Sequence, residues 1–147
     1  MAHYQCRIRT PLAVADAFAY MEDVRNFAHW DPGVVSVTQL AGDGPGPDAI
    51  YDVLTSNGGR ENLFRYIVTA YDRPVGFTIV GKKPPFTSTD VITVEPHGDG
   101  SIVTYAADLD MPFPLSLADG WLKKIFDRIG DAAAAGLADA LDGEWER

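Results

Sequence analysis

The chain has 147 residues, of which 46% are hydrophobic and 22% charged, as expected for one globular domain with a buried core. Its 12 Lys and Arg residues stand against 21 Asp and Glu residues, which gives a formal net charge of −9. A surface with this charge repels phosphate backbones and anionic lipid headgroups, so we expect no nucleic-acid partner and no stable membrane insertion. No apolar run reaches the ~18 residues that a membrane span needs.

Cys6 is the single cysteine, which excludes an internal disulfide and is typical of proteins in a reducing compartment. We interpret Cys6 as a small apolar strand residue, because no activating partner can be named for a nucleophile. Residues 1–6 lack the charged segment followed by an apolar segment that marks a signal peptide. These observations predict a cytoplasmic location.

The first elements follow from hydrophobic spacing. Residues 3–9 alternate apolar and polar side chains, which predicts a half-buried strand. Thr10, followed by proline, predicts a helix start with its hydroxyl as the N-cap. Apolar residues at three- and four-residue spacing over 14–28 predict an amphipathic helix, which Asp23 divides in two by capping the second part. Pro32 disfavours helix at the residue before it and so ends the second helix.

Six further strands are predicted between short turns rich in Gly, Pro, Asp and Asn. Their ranges are 34–41, 48–55, 60–71, 76–82, 87–95 and 101–110. A long amphipathic helix is predicted from about residue 115 to 141, with a length of roughly 40 Å. Residues 1–147 are therefore expected to form a single α+β domain with a seven-stranded antiparallel sheet.

Several segments carry a resemblance to a known family. They are Ala17–Met21 ahead of Asp23 and Asn26, Trp30–Val34, Tyr71–Pro74, Asp90–Pro96 and Gly100–Tyr105. In these segments and in the order of its elements, the chain resembles the SRPBCC superfamily of START-like and plant-allergen-like domains, especially the bacterial polyketide cyclase/dehydrase and lipid-transport group. The resemblance implies a helix-grip fold, in which a curved sheet wraps around the C-terminal helix and encloses an apolar cavity. It covers nearly the whole chain but marks mostly strands and turns, so it informs the fold more than the chemistry.

Antiparallel pairing across the short turns predicts which side chains share the inner face of the sheet. The predicted rows are Ala70–Phe77–Ile92–Tyr105, Val68–Ile79–Asp90–Ala107, Tyr66–Gly81 and Tyr51–Phe64. The small residues Gly81 and Ala107 leave space beside Tyr66 and Asp90. This face therefore forms either a solid core or the lining of a ligand cavity, and the resembled family generally keeps a cavity there.

Asp90 is the most informative residue on this face, because a carboxylate among apolar side chains is costly unless it is paired. One interpretation is structural, with Asp90 paired to Lys82, Arg65 or a backbone amide. A second is that Asp90 orients a ligand. A third is catalytic, with Asp90 as general acid or base and with Tyr66 and Tyr105 donating hydrogen bonds to a substrate carbonyl.

Residues outside the sheet complete the predicted ligand-binding set. Trp30 either anchors the second helix in the core or lines the cavity. Trp121 lies on the apolar stripe of the long helix, where it forms the floor or the lid of the cavity beside Leu122 and Ile125. The apolar segment over residues 111–115 is a candidate gate.

No HExxH, CxxC, GxSxG, phosphate-loop or dinucleotide-binding pattern is present, and the three histidines are scattered. We therefore expect no metal and no cofactor. The leading hypothesis is binding of a hydrophobic or aromatic small molecule, such as a lipid, polyketide or isoprenoid, by a monomer or weak homodimer. One alternative is a cofactor-independent cyclase or dehydratase that uses Asp90, Tyr66 and Tyr105. Another is an interaction module resembling the coenzyme Q-binding proteins.

Overall fold

The computed structural model describes residues 1–112 and 119–147 and shows an α+β fold. The strands are β1 (Ala2–Thr10), β2 (Val34–Ala41), β3 (Ile50–Asn57), β4 (Arg60–Asp72), β5 (Gly76–Lys83), β6 (Phe86–His97), β7 (Gly100–Asp110) and β8 (Glu144–Glu146). The helices are α1 (Val14–Glu22), a 3-10 helix (Val24–Asn26), α2 (Phe27–Trp30) and α3 (Asp119–Ala140). No helix within the described ranges is long and apolar enough to cross a membrane.

All strands belong to one antiparallel sheet with the order β2-β3-β4-β5-β6-β7-β1-β8. The seven predicted strands are present, and their consecutive hairpins follow from the short turns between them. The eighth strand was not predicted, because three residues after a helix carry no alternation that can be recognised. It pairs with β1 and places Trp145 opposite Ile8, so the chain returns to the first strand after α3.

The predicted N-cap at Thr10 is wrong. Thr10 is the last residue of β1, and α1 begins at Val14 after Ala13, which makes no side-chain cap. The Thr10 hydroxyl instead donates a 2.5 Å hydrogen bond to the carbonyl of Leu141 and accepts one from the Leu12 amide. This bond links the end of β1 to the end of α3. The Thr10 hydroxyl therefore makes a tertiary contact and does not cap α1.

The predicted division at Asp23 is confirmed. Its carboxylate accepts a 3.1 Å hydrogen bond from the backbone N–H of Arg25 and so caps the 3-10 helix. The last helix of this group, α2, ends at Trp30, as predicted from Pro32.

Helix α3 runs unbroken through Gly130 to Ala140. A Cβ on Gly130 would lie 2.4 Å from the Tyr4 ring, and one on Gly136 would lie 1.9 Å from the carbonyl oxygen of Trp30. Because glycine has no Cβ, these two positions let α3 pack closely on β1 and α2. The part of the predicted helix over 115–118 lies outside the described residues, as does the part of the 111–115 candidate gate over 113–115.

The predicted register is confirmed over most of the inner face. The structure pairs Phe77 with Ile92, Ile92 with Tyr105, Val68 with Ile79, Ile79 with Asp90, Asp90 with Ala107, and Tyr66 with Gly81. Side chains of these residues alternate with exposed ones along each strand, so one face of the sheet is buried.

Two predicted pairs are wrong. A bulge between Val68 and Ala70 places Tyr71, not Ala70, opposite Phe77, and Ala70 is exposed. The turn after β3 consists of Gly58 and Gly59, with φ of 62° and 80°, one residue further along the chain than the Asn57–Gly58 turn that the predicted pairing required. Tyr51 consequently lies opposite Tyr66, and Phe64 opposite Val53, while all four side chains stay on the inner face.

Candidate functional site

Asp90 lies in the middle of the buried face with 3% of its surface exposed. Its two carboxylate oxygens accept hydrogen bonds from two hydroxyl groups of the same face. Ser88 Oγ donates to Oδ1 at 2.9 Å, and Tyr105 OH donates to Oδ2 at 2.5 Å. Ser88 precedes Asp90 by two residues on β6 and Tyr105 lies on the adjacent β7, so strand alternation alone brings the three groups to one side.

Burial raises the pKa of Asp90 from an ordinary value of 3.8 to about 6. The hydrogen bonds from Tyr105 and Ser88 act in the opposite direction, because they stabilise the carboxylate, and the negative charge of Asp31 adds to the increase. Burial also raises the pKa of the Tyr105 hydroxyl well above 10, and the neighbouring Asp90 charge adds to that effect. Tyr105 therefore stays protonated and acts as a hydrogen-bond donor.

Tyr66 lies within electrostatic reach of this group: burial raises its pKa well above 10, the charge of Asp90 adds to the increase, and Ser88 acts in the opposite direction. Its ring lies directly over Gly81 on the next strand, where an added Cβ would come within 2.4 Å of Cζ. Only glycine leaves room for the ring in this orientation. The space expected beside Tyr66 is therefore occupied by its own ring.

Trp30 and Phe27, from α2, pack on the Tyr105 ring. The ring centroids of Trp30 and Tyr105 are 5.5 Å apart with an interplanar angle of 77°, and those of Phe27 and Tyr105 are 6.3 Å apart. The indole Nε1 of Trp30 is buried without a hydrogen-bond partner among the described residues. A buried donor without an acceptor is unfavourable by about 1–3 kcal/mol, which makes this N–H a candidate donor to a ligand oxygen.

Asp31 is a member of the group that sequence reasoning missed. It follows α2, and its Oδ1 accepts a 2.8 Å hydrogen bond from the backbone N–H of Gly33. Burial raises its pKa, and its charge acts on Asp90, Tyr66 and Tyr105. The sequence showed Asp31 only as part of a helix-ending segment, and no local pattern places that segment against β6 and β7.

The other predicted site residues divide by burial. Those fully within the core are Tyr51, Phe77, Ile79, Ile92, Ala107 and Trp30. Those that are half-buried are Phe64 and Val68 on β4 and Leu122 and Ile125 on α3. Trp121 is 66% exposed at the start of α3. The accessible part of the predicted set therefore lies on β4 and on the first half of α3, and whether these residues line a cavity stays a prediction.

The structural interpretation of Asp90 predicted a different set of partners from the one observed. Arg65 and Lys82 are exposed on the opposite face of the sheet, where Arg65 pairs with Asp52 at 2.9 Å. Asp90 has hydroxyl partners instead of a cation. Within residues 1–112 and 119–147, three or more His, Cys, Asp or Glu side chains nowhere come together as a metal site would require.

The sequence matches the family described as polyketide cyclase / dehydrase and lipid transport over residues 1–142. The chain belongs to this family. Its fold agrees with solved structures that include a START superfamily protein from Mycobacterium smegmatis, with 12% identity, a TM-score of 0.80, and coverage of 97% of this chain and 98% of that one. The Zhui aromatase/cyclase from Streptomyces sp. R1128 has 10% identity and a TM-score of 0.72, covering 95% and 93% of the two chains.

A protein from Thermus thermophilus has 13% identity and a TM-score of 0.78, covering 95% of this chain and 96% of its own. At these identities the likeness shows the fold alone. A search of curated protein sequences finds no match. Membership of the polyketide cyclase/dehydrase and lipid-transport family thus indicates either a cyclase/dehydrase or a lipid-transport domain.

Proposed function

We propose that this domain binds a hydrophobic small molecule, of the lipid, polyketide or isoprenoid kind, on the inner face of its sheet. In this proposal an oxygen-bearing group of the ligand contacts Asp90 and Tyr105. The observation that carries the proposal is a buried carboxylate, held only by hydroxyl groups, on a face otherwise made of aromatic and aliphatic side chains.

The energetics of this carboxylate support a binding role. A core that served stability alone would be at least as stable with an apolar residue of similar size, because a buried charge is desolvated without full compensation. The hydroxyls of Ser88 and Tyr105 fix the orientation of the carboxylate, and the Trp30 and Phe27 rings fix that of Tyr105. A rigid polar group on an apolar face is the usual arrangement of a site that orients a hydrophobic ligand.

The test is binding of the neutral fluorescent probe N-phenyl-1-naphthylamine to the native protein. Val68→Trp fills the half-buried inner side of β4, whereas Ile67→Trp adds the same ring to the outer side, where Ile67 is 44% exposed. We expect Val68→Trp to weaken probe binding at least about tenfold and Ile67→Trp to leave it within about twofold. Equal effects of the two variants, both folded by circular dichroism, would place the probe elsewhere and contradict the proposal.

A second candidate function is cyclisation or dehydration of a polyketide chain with Asp90 as general acid or base. It is favoured by the Asp90 pKa of about 6, which lets the group exchange a proton near neutral pH. Product analysis with a linear poly-β-ketone mimic tests it. Catalysis requires turnover by the native protein that falls at least about 100-fold in Asp90→Asn, while a binding domain shows no turnover in either.

A further inference from the structure

Two acidic side chains, Asp90 and Asp31, contribute charge to the inner-face site. Asp90 accepts hydrogen bonds from Ser88 and Tyr105. Asp31 directly follows Trp30, whose ring packs on the Tyr105 ring at 5.5 Å between centroids. The charge of Asp31 acts on Asp90, Tyr66 and Tyr105. Asp31 has the Gly33 N–H as its hydrogen-bond donor. Neither carboxylate has an ion-pair partner among the described residues.

Basic side chains are placed away from this site. All 12 Lys and Arg residues fall within the described ranges, and none of them is buried. Several pair with acidic residues elsewhere, as Arg73 does with Glu22 and Arg9 with Glu144. The nearest basic residue on the inner side of β5 is the half-buried Lys83, four residues beyond Ile79, which corresponds to roughly 13 Å along the strand.

We propose that the inner-face site selects its ligand by charge, accepting neutral hydroxyl-bearing or cationic amine-bearing aromatic molecules and rejecting carboxylates and phosphates. This inference rests on the proposed function. An anionic group brought beside Asp90 and Asp31 loses its hydration and meets two like charges at short range without a cation to compensate. A hydroxyl group instead donates to either carboxylate, and an ammonium group forms a charge-assisted hydrogen bond with it.

The groups around Asp90 make this selectivity depend on pH. The titratable neighbours are Tyr66 on β4, Tyr105 and Asp108 on β7, and Asp31 after α2. From α3, Asp127 and Asp131 act on Tyr4, whose hydroxyl donates a hydrogen bond to Asp131. Because the pKa of Asp90 is raised to about 6, its negative charge develops as the pH rises through about 6, and preference for a cation over an anion increases in the same direction.

Three probes that share one ring system and differ in charge test this selectivity. They are 2-naphthalenemethanol, 2-naphthalenemethylamine and 2-naphthoate, each used to displace N-phenyl-1-naphthylamine from the native protein at about pH 7.5. We expect the alcohol and the amine to compete, and the naphthoate to be at least about tenfold weaker than the alcohol. In Asp90→Asn the amine should weaken at least about tenfold and the naphthoate should gain affinity. Lys83→Gln should change none of the three.

Two results would overturn the inference, and they distinguish failure of charge selection from failure of the proposed function. If naphthoate binds as tightly as the alcohol, or loses affinity in Lys83→Gln, the site accepts anions and charge selection is wrong, although the inner face still binds ligands. If none of the three probes binds, or if Val68→Trp leaves their binding unchanged, the proposed binding function fails and the inference fails with it.

Discussion

Asp90→Asn is expected to make the domain more stable near neutral pH while changing its stability much less in acid. The fold holds the Asp90 proton more tightly than the unfolded chain does, since the pKa is raised from 3.8 to about 6. The stability that this proton contributes is fully present below about pH 4 and is lost as the pH rises through about 6. The complete loss amounts to about 3 kcal/mol, because a tenfold change in proton affinity corresponds to about 1.4 kcal/mol.

An asparagine carries no charge at any of these pH values, so the variant avoids that loss. It keeps one oxygen acceptor for Ser88 or Tyr105, and the exchange of the second acceptor for an amide costs about 0.5–1.5 kcal/mol at all pH values. The variant should therefore gain about 2 kcal/mol of stability relative to the native protein as the pH rises from about 4 to about 7.5.

Urea unfolding followed by circular dichroism at several pH values measures this difference. Asp110→Asn is the matched control, because Asp110 is exposed at the end of β7, and it should give no comparable gain with pH. A difference between Asp90→Asn and the native protein that stays constant with pH would refute the reasoning. It would mean that the Asp90 carboxylate ionises as readily in the fold as in the unfolded chain.

Three further substitutions test the packing around the site by the same unfolding measurement. Gly81→Ala should destabilise by about 1–3 kcal/mol, because its Cβ would overlap the Tyr66 ring, and the cost should largely disappear in a Tyr66→Ala background. Leu137→Ala, at a fully buried position on α3, should lower the free energy of unfolding by about 2–5 kcal/mol, whereas Lys124→Ala, at an exposed position, should change it by no more than about 0.5 kcal/mol. Equal losses would show that α3 presents a different face to the sheet. Thr10→Val should cost about 1–3 kcal/mol, since it leaves the Leu141 carbonyl without its buried donor; no loss would indicate that this bond contributes little.

The order of the elements and most of the sheet register could be predicted from the amino-acid sequence. Side chains alternate between the two faces of a strand, and the turns between β5, β6 and β7 are short enough to leave one pairing. These two constraints were sufficient to place Ile79, Asp90 and Ala107 in one row and Tyr105 in the next. Composition also excluded a disulfide, because Cys6 has no second cysteine to pair with.

The contribution of other elements to the group around Asp90 follows only from the tertiary structure. The approach of Asp31 depends on how α2 packs against the sheet, which no spacing along the chain records. The hydrogen bond from Thr10 to the carbonyl of Leu141 likewise joins distant segments. Local patterns report which face a residue occupies, because that follows from backbone geometry. Which groups of other elements approach that face depends on long-range packing, and here it brings the rings of Trp30 and Phe27 onto Tyr105 and the charge of Asp31 to Asp90.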